Sequence, residues 1–151
     1  VGKKARHVQK HDALSYIAGY SIFNDATLRD YQRKSSQWTI GKNFDDTGAF
    51  GPEFVSSDEL PAGAHGLQIM TRLNGNTMQD ANTRDFIFPM DDLVVKLSEC
   101  MTLEVGDIIV TGTPAGVGYA RTPPVFMKDG DICEVEIEGV GVLSNTVHDE
   151  A

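Results

Sequence analysis

The run Leu67-Gln68-Ile69-Met70-Thr71-Arg72-Leu73 leads straight into Asn74-Gly75, and no other stretch so narrows what this chain can build. Successive side chains of a strand point to opposite faces, so alternation of this kind marks a half-buried strand. Asn and Gly tolerate the left-handed backbone that both central positions of a type I′ turn require. The chain is therefore expected to reverse and return antiparallel over Asn76 to Gln79. A sheet with one core-facing side is built in.

The remaining elements are read in the same way. Ile132 to Ile137 alternates apolar and acidic residues, and Val142 to Val147 follows after Gly139 and Gly141. A strand pattern begins at Phe54. Ala18 to Phe23 reads as a short buried strand leading into Asn24-Asp25, and Ile108 to Thr111 as another after the Gly106-Asp107 turn. Met90 to Met101 is the best helix, with Leu93, Val94, Leu97, Cys100 and Met101 on one apolar face and Asp91 and Asp92 near its start. Asp12 can cap a short helix carrying Ala13, Leu14, Tyr16 and Ile17, ended by Gly19. Ala26 to Arg33 reads as a polar turn or short helix. Ser35 to Pro52 reads as a loop anchored by Trp38, and residues 1–11 as irregular. No repeat or linker divides residues 1–151. The expectation is one strand-rich α+β domain with a few short helices, too poor in helix for a doubly wound sheet.

Charge and composition exclude several roles. Thirteen Lys+Arg against 22 Asp+Glu give a net charge of −9, a poor match for nucleic acid or an anionic membrane. No apolar run approaches the roughly 18 residues of a membrane span, and no secretory signal is visible. A cytoplasmic location is expected. Cys100 and Cys133 fall on elements that read as core and lack CxxC spacing, so buried free thiols are expected. The chain opens on Val1 rather than Met, and a piece of something longer is expected.

Three segments carry chemistry. Asp25 ends a buried strand, where a carboxylate is costly without a positive partner. Arg29 could supply that partner as an ion pair; a divalent cation could supply it instead. Spacing alone favours the ion pair. Lys42, after Gly41, is by itself an ordinary solvated lysine. In Thr111-Gly112-Thr113-Pro114-Ala115-Gly116-Val117-Gly118 a strand ends in hydroxyls and glycines, so backbone N–H groups can receive an anion. The alternative there is a tight bulged turn. Glu134, Glu136 and Glu138 share one strand face and are expected to meet solvent rather than a metal. His7, His11, His65 and His148 lack metal-ligand spacing and read as surface or satisfied residues. Tyr31 and Phe50 are candidates to line a pocket.

Together these segments resemble the fumarylacetoacetate hydrolase family. The resemblance runs through Tyr16 to Tyr20, Asn24-Asp25, Arg29-Asp30, Gln32, Trp38, Gly41-Lys42, Asp45 and Gly51-Pro52. It continues through Asn74-Gly75, Gln79, Asn82-Thr83, Asp85, Ile87-Phe88, Gly106-Asp107, the TGTPAGVG turn, Gly130-Asp131 and the closing run from Gly139. It covers nearly the whole chain from about Asp12. Thr47 to Phe50 departs from the proline-containing form common before Gly-Pro.

The resemblance implies a mixed β-roll fold and a Mg²⁺ or Mn²⁺ ion held by three carboxylates, of which Asp25 matches one. Arg29 and Gln32 match positions that face the substrate or order the site. Lys42 matches a catalytic lysine on the substrate oxygen, and Thr113 a threonine that receives the substrate carboxylate. The other two carboxylates, a Glu-x-Glu pair, belong upstream of Val1, as do the family's water-activating His and Glu. The implied activity is hydrolysis of a C–C bond in an acylpyruvate or fumarylacetoacetate-type acid through a stabilised enolate. Decarboxylation of an oxaloacetate-like acid and isomerisation of a 2-hydroxymuconate-like acid use the same residues. A homodimer is expected, with a small oxo-acid as the only other partner. The rival from another class is a non-catalytic fragment or assembly subunit that keeps the fold without metal.

Overall fold

The computed structural model describes residues 1–150. Six strands and two α-helices are joined by short 3₁₀ turns: β1 (Gly19–Asn24), α1 (Arg29–Gln32), β2 (Ala49–Ser56), β3 (Gln68–Leu73), β4 (Asn76–Asn82), α2 (Met90–Cys100), β5 (Ile132–Ile137) and β6 (Gly141–Thr146). β1 and β2 form an antiparallel pair, and β4-β3-β5-β6 a four-stranded antiparallel sheet. Asn74 at φ 50° and Gly75 at φ 77° make the expected reversal between β3 and β4. The two sheets meet over Ile22, Val135, Val140 and Leu143, with Val55, Leu60 and Ile137 closing around them.

Residues 1–11, expected to be irregular, form part of a second core. Ala5 bridges Leu103, and Ala5, Val8, Ala13, Val94 and Leu103 pack together against α2. Arg6 donates to the Ser98 and Glu99 carbonyls at 2.8 and 2.7 Å, satisfying the C-terminal acceptors of α2. The segment from Asp12 is a 3₁₀ helix, Lys10–Tyr16, flanked by Gln9, so Asp12 lies inside it and does not cap it.

The face of α2 differs from its apolar pattern. Met90, Val94 and Ser98 are buried, whereas Cys100 and Met101 are exposed. A polar residue can take the innermost position because its hydroxyl is fully used. Ser98 Oγ donates to the Val95 carbonyl at 3.0 Å and accepts from Val8 N–H at 3.1 Å. In the intact protein, Ser98→Ala is expected to cost about 1–3 kcal/mol of stability by leaving Val8 N–H buried without an acceptor. A urea midpoint that does not move would refute that account. Only Cys133 is the buried thiol expected of both cysteines, and burial pushes its pKa up.

Two further expectations fail. Ile108 to Thr111 is not a buried strand: no described residue pairs with it, and Ile108 and Val110 are half exposed. Only Ile109 reaches the α2 core. A strand pattern needs a neighbour to satisfy its backbone, and none lies beside this run among the described residues. Trp38 does not anchor its loop either; it is 64% exposed, and β2 begins within that loop at Ala49.

The acidic face of β5 is occupied from within the sheet. Arg72 on β3 reaches Glu134 at 3.2 Å and Glu136 at 2.6 Å, and Glu138 accepts from Gln68 N–H at 3.1 Å. Glu134 and Glu136 thus serve cross-strand pairing while about one-third exposed, and Glu138 is exposed, so the face does meet solvent. All four histidines are exposed, as expected.

Candidate active site

Asp25 follows the last residue of β1, and Lys42 ends the 3₁₀ turn Trp38–Lys42. The two meet directly: Lys42 Nζ pairs with Asp25 Oδ2 and lies 3.3 Å from Thr27 Oγ1. Thr27 Oγ1 donates in turn to the Asp25 carbonyl at 3.0 Å. Both charged side chains are about one-third exposed. The reason they meet is a glycine. Gly41 is buried against α1, and a Cβ there would come within 2.8 Å of the Gln32 backbone. Leu28 N–H also donates to the Gly41 carbonyl at 2.9 Å. The turn therefore lies flat on α1 and delivers the next residue, Lys42, to Asp25.

Arg29 is not the counter-ion of Asp25. Its Nη1 donates to Gln32 Oε1 at 2.8 Å, and Gln32 is itself buried. The Arg29 guanidinium also lies 5.3 Å from the centre of the Tyr119 ring, and that of Arg33 lies 4.8 Å from the same ring. Tyr119 belongs to the turn that follows the glycine-rich run, so these contacts tie that run to α1.

Thr113 is exposed on that run and makes no hydrogen bond to either polar pair among the described residues. Gln79 of β4 holds it, Nε2 donating to Thr113 Oγ1 at 2.8 Å and to the Pro114 carbonyl at 2.7 Å. Arg121 adds a second clasp, reaching the Gly116 carbonyl at 3.1 Å and the Met78 carbonyl. Tyr31 packs edge-on against Phe44 at 4.7 Å rather than standing free to line a pocket.

A hollow of about 580 Å³ lies elsewhere. Phe50, Phe54, Leu67, Ile108 and Val110 are among its walls, and neither Asp25, Arg29, Gln32, Lys42 nor Thr113 borders it. Its walls are mostly apolar and carry no cationic side chain for an oxo-acid carboxylate, so the polar side chains around Asp25 and Arg29 are the better candidate site.

Of the residues expected to act, the fold therefore joins Asp25 to Lys42 and Arg29 to Gln32, and seats Thr113 on Gln79. Tyr119, Arg121 and the orienting part played by Gln79 were not legible. An aromatic residue just after a glycine-rich turn, in a chain with two arginines four residues apart, was the available hint for Tyr119. As a hard oxygen donor Asp25 suits Mg²⁺ or Mn²⁺, but no cluster of three His, Cys, Asp or Glu that could hold a metal exists among the described residues. The residues described here do not make up a complete ligand set.

Comparison with known proteins gives a consistent picture. The family model described as fumarylacetoacetate (FAA) hydrolase C-terminal matches residues 1–148. Oxaloacetate tautomerase Fahd2a, mitochondrial, of Rattus norvegicus is 43% identical over 148 residues, covering 97% of this chain and 47% of that protein. The fumarylacetoacetate hydrolase of psychrophilic Exiguobacterium antarcticum superposes with a TM-score of 0.95 at 39% identity, covering 99% of this chain and 53% of its own. The 5-carboxymethyl-2-hydroxymuconate delta-isomerase of Mycobacterium smegmatis superposes at 0.87 with 35% identity, covering 100% and 56%. This chain spans about half the length of the curated relatives it matches. The strand-rich α+β fold is the one these structures share.

Proposed function

Because this chain belongs to the fumarylacetoacetate hydrolase family, we propose that its Asp25, Arg29, Gln32, Lys42 and Thr113 form part of a divalent-metal site for small 2-oxo acids. The observation that carries this reading is the Lys42 ammonium held on Asp25 by the close approach of Gly41 to α1. Enzymes of this family generally use divalent metals. A bound Mg²⁺ or Mn²⁺ would supply positive charge beside the 2-oxygen of the substrate. Asp25 would be one of its ligands, with the remaining carboxylates coming from outside the residues described.

The other residues act on the substrate. Lys42 donates a hydrogen bond to the 2-oxygen as negative charge gathers there in the enolate. Arg29, its fork oriented by Gln32 and Tyr119, faces a carboxylate, and the Thr113 hydroxyl receives another carboxylate oxygen. The proposed reaction is hydrolysis of a C–C bond in an acylpyruvate-type acid. A second reading, keto–enol tautomerisation of an oxaloacetate-like acid, is favoured by the 43% identity to an oxaloacetate tautomerase. The first releases the enolate of pyruvate, and the second passes through that of the intact diacid. Both carry the charge on the 2-oxygen, so one wall of residues serves either.

The intact protein, assayed with Mg²⁺ on acetylpyruvate and on oxaloacetate, tests the proposal. Turnover of at least one acid is expected, lost on exhaustive chelation and restored by Mg²⁺ or Mn²⁺. Undiminished turnover after chelation would sink the metal assignment. Failure to turn over either acid would sink the oxo-acid reading.

A further inference from the structure

Gln79 is buried on β4, and the chemistry of its contacts fixes which end of its amide faces the glycine-rich turn. A carbonyl oxygen can only accept a hydrogen bond. The atom 2.7 Å from the Pro114 carbonyl must therefore be the amide nitrogen, because the amide oxygen would be repelled there. That nitrogen also lies 2.8 Å from Thr113 Oγ1, so each of its two hydrogens has a partner. Thr113 Oγ1 consequently accepts from Gln79, and its own hydrogen must point elsewhere. Thr113 is exposed, so the hydroxyl is offered outward as a donor.

The arrangement is stiff. Gly116 has φ +104°, and a Cβ there would lie 2.3 Å from the Met78 carbonyl oxygen, so the turn sits directly on β4. Arg121 bridges the Gly116 carbonyl of the turn and the Met78 carbonyl of β4. We propose that Gln79 is a positioning residue that fixes Thr113 as a hydrogen-bond donor to the carboxylate of the substrate. This inference rests on the oxo-acid reading above. It differs from a purely structural role, in which Gln79 only fastens the turn.

Binding of pyruvate, the smallest 2-oxo acid, to the intact Mg²⁺-loaded protein by titration calorimetry separates these cases. Gln79→Glu puts an acceptor where the donor was, so the Thr113 hydroxyl turns inward to bond it. Affinity for pyruvate is expected to fall about 10- to 100-fold, the worth of a hydrogen bond to a charged group. Gln79→Met removes the donor without adding charge, and a loss of about 3- to 10-fold is expected. In a Thr113→Val background the Met substitution should add less than about twofold, because the two residues act through one hydroxyl. Should the Glu variant not fold, the Met variant carries the test alone. Equal losses with and without Thr113, or unchanged pyruvate binding in the Met variant, overturn the positioning role. Wild-type protein that binds no pyruvate overturns the oxo-acid reading, and the inference with it.

Discussion

Asp25→Ala in the intact protein is expected to lower metal-dependent turnover by about 10²–10⁴-fold. A metal ion supplies several kcal/mol of charge stabilisation, and each ~1.4 kcal/mol is tenfold in rate. The size of the effect decides between the two readings of this carboxylate. As a simple ion pair with Lys42, both partners about one-third exposed, Asp25 would contribute only about 0–1 kcal/mol to stability. Turnover would then be untouched. Asp25→Asn keeps the shape and one oxygen while removing the charge, and it should lose Mn²⁺ affinity alongside turnover. The measurement is Mn²⁺ titration followed by electron paramagnetic resonance, beside the rate on an oxo-acid. Retention of full activity in the alanine variant would leave Asp25 as a surface counter-ion.

The parts of this fold that were legible in the sequence rest on local chemistry. Asn74-Gly75 needs nothing beyond its own backbone preferences to reverse the chain, and β3 and β4 follow from it. The helical period of α2 is equally local, although its innermost residue is Ser98, whose burial depends on Val8, 90 residues away. Ile108 to Thr111 was misread because a buried strand is defined by a partner, and periodicity carries no information about partners. The pairing at the site failed to show for the same reason. Arg29 is the cation nearest to Asp25 in sequence, yet Lys42 takes the contact, because Gly41 lets a distant turn lie on α1. Residue types at the site were readable; their partners were not. Gln79 is the sharpest instance, since a glutamine on a strand acquires its meaning only when Thr113 and Pro114 are brought to it.

Lys42→Met should separate the lysine from the metal ligand beside it. Removing one donor aimed at a developing oxyanion typically costs about 10²–10³-fold in kcat, and that loss is expected here. Metal affinity should move the other way or hold steady. Lys42 Nζ occupies Asp25 Oδ2, so the ammonium competes with a cation for that oxygen, and its removal frees the carboxylate. The two substitutions thus predict opposite pairings. Asp25→Asn loses affinity and turnover together, whereas Lys42→Met loses turnover with Mn²⁺ bound at least as tightly as in the wild type. Weaker Mn²⁺ binding in Lys42→Met would mean that the lysine acts by holding the ligand in place. A kcat within a few-fold of wild type would remove Lys42 from the oxyanion altogether. The Gly41 contact offers an independent check, because a side chain there must push the Trp38–Lys42 turn off Gln32. Gly41→Ala should accordingly reproduce the Lys42→Met loss in kcat while the lysine itself is still present.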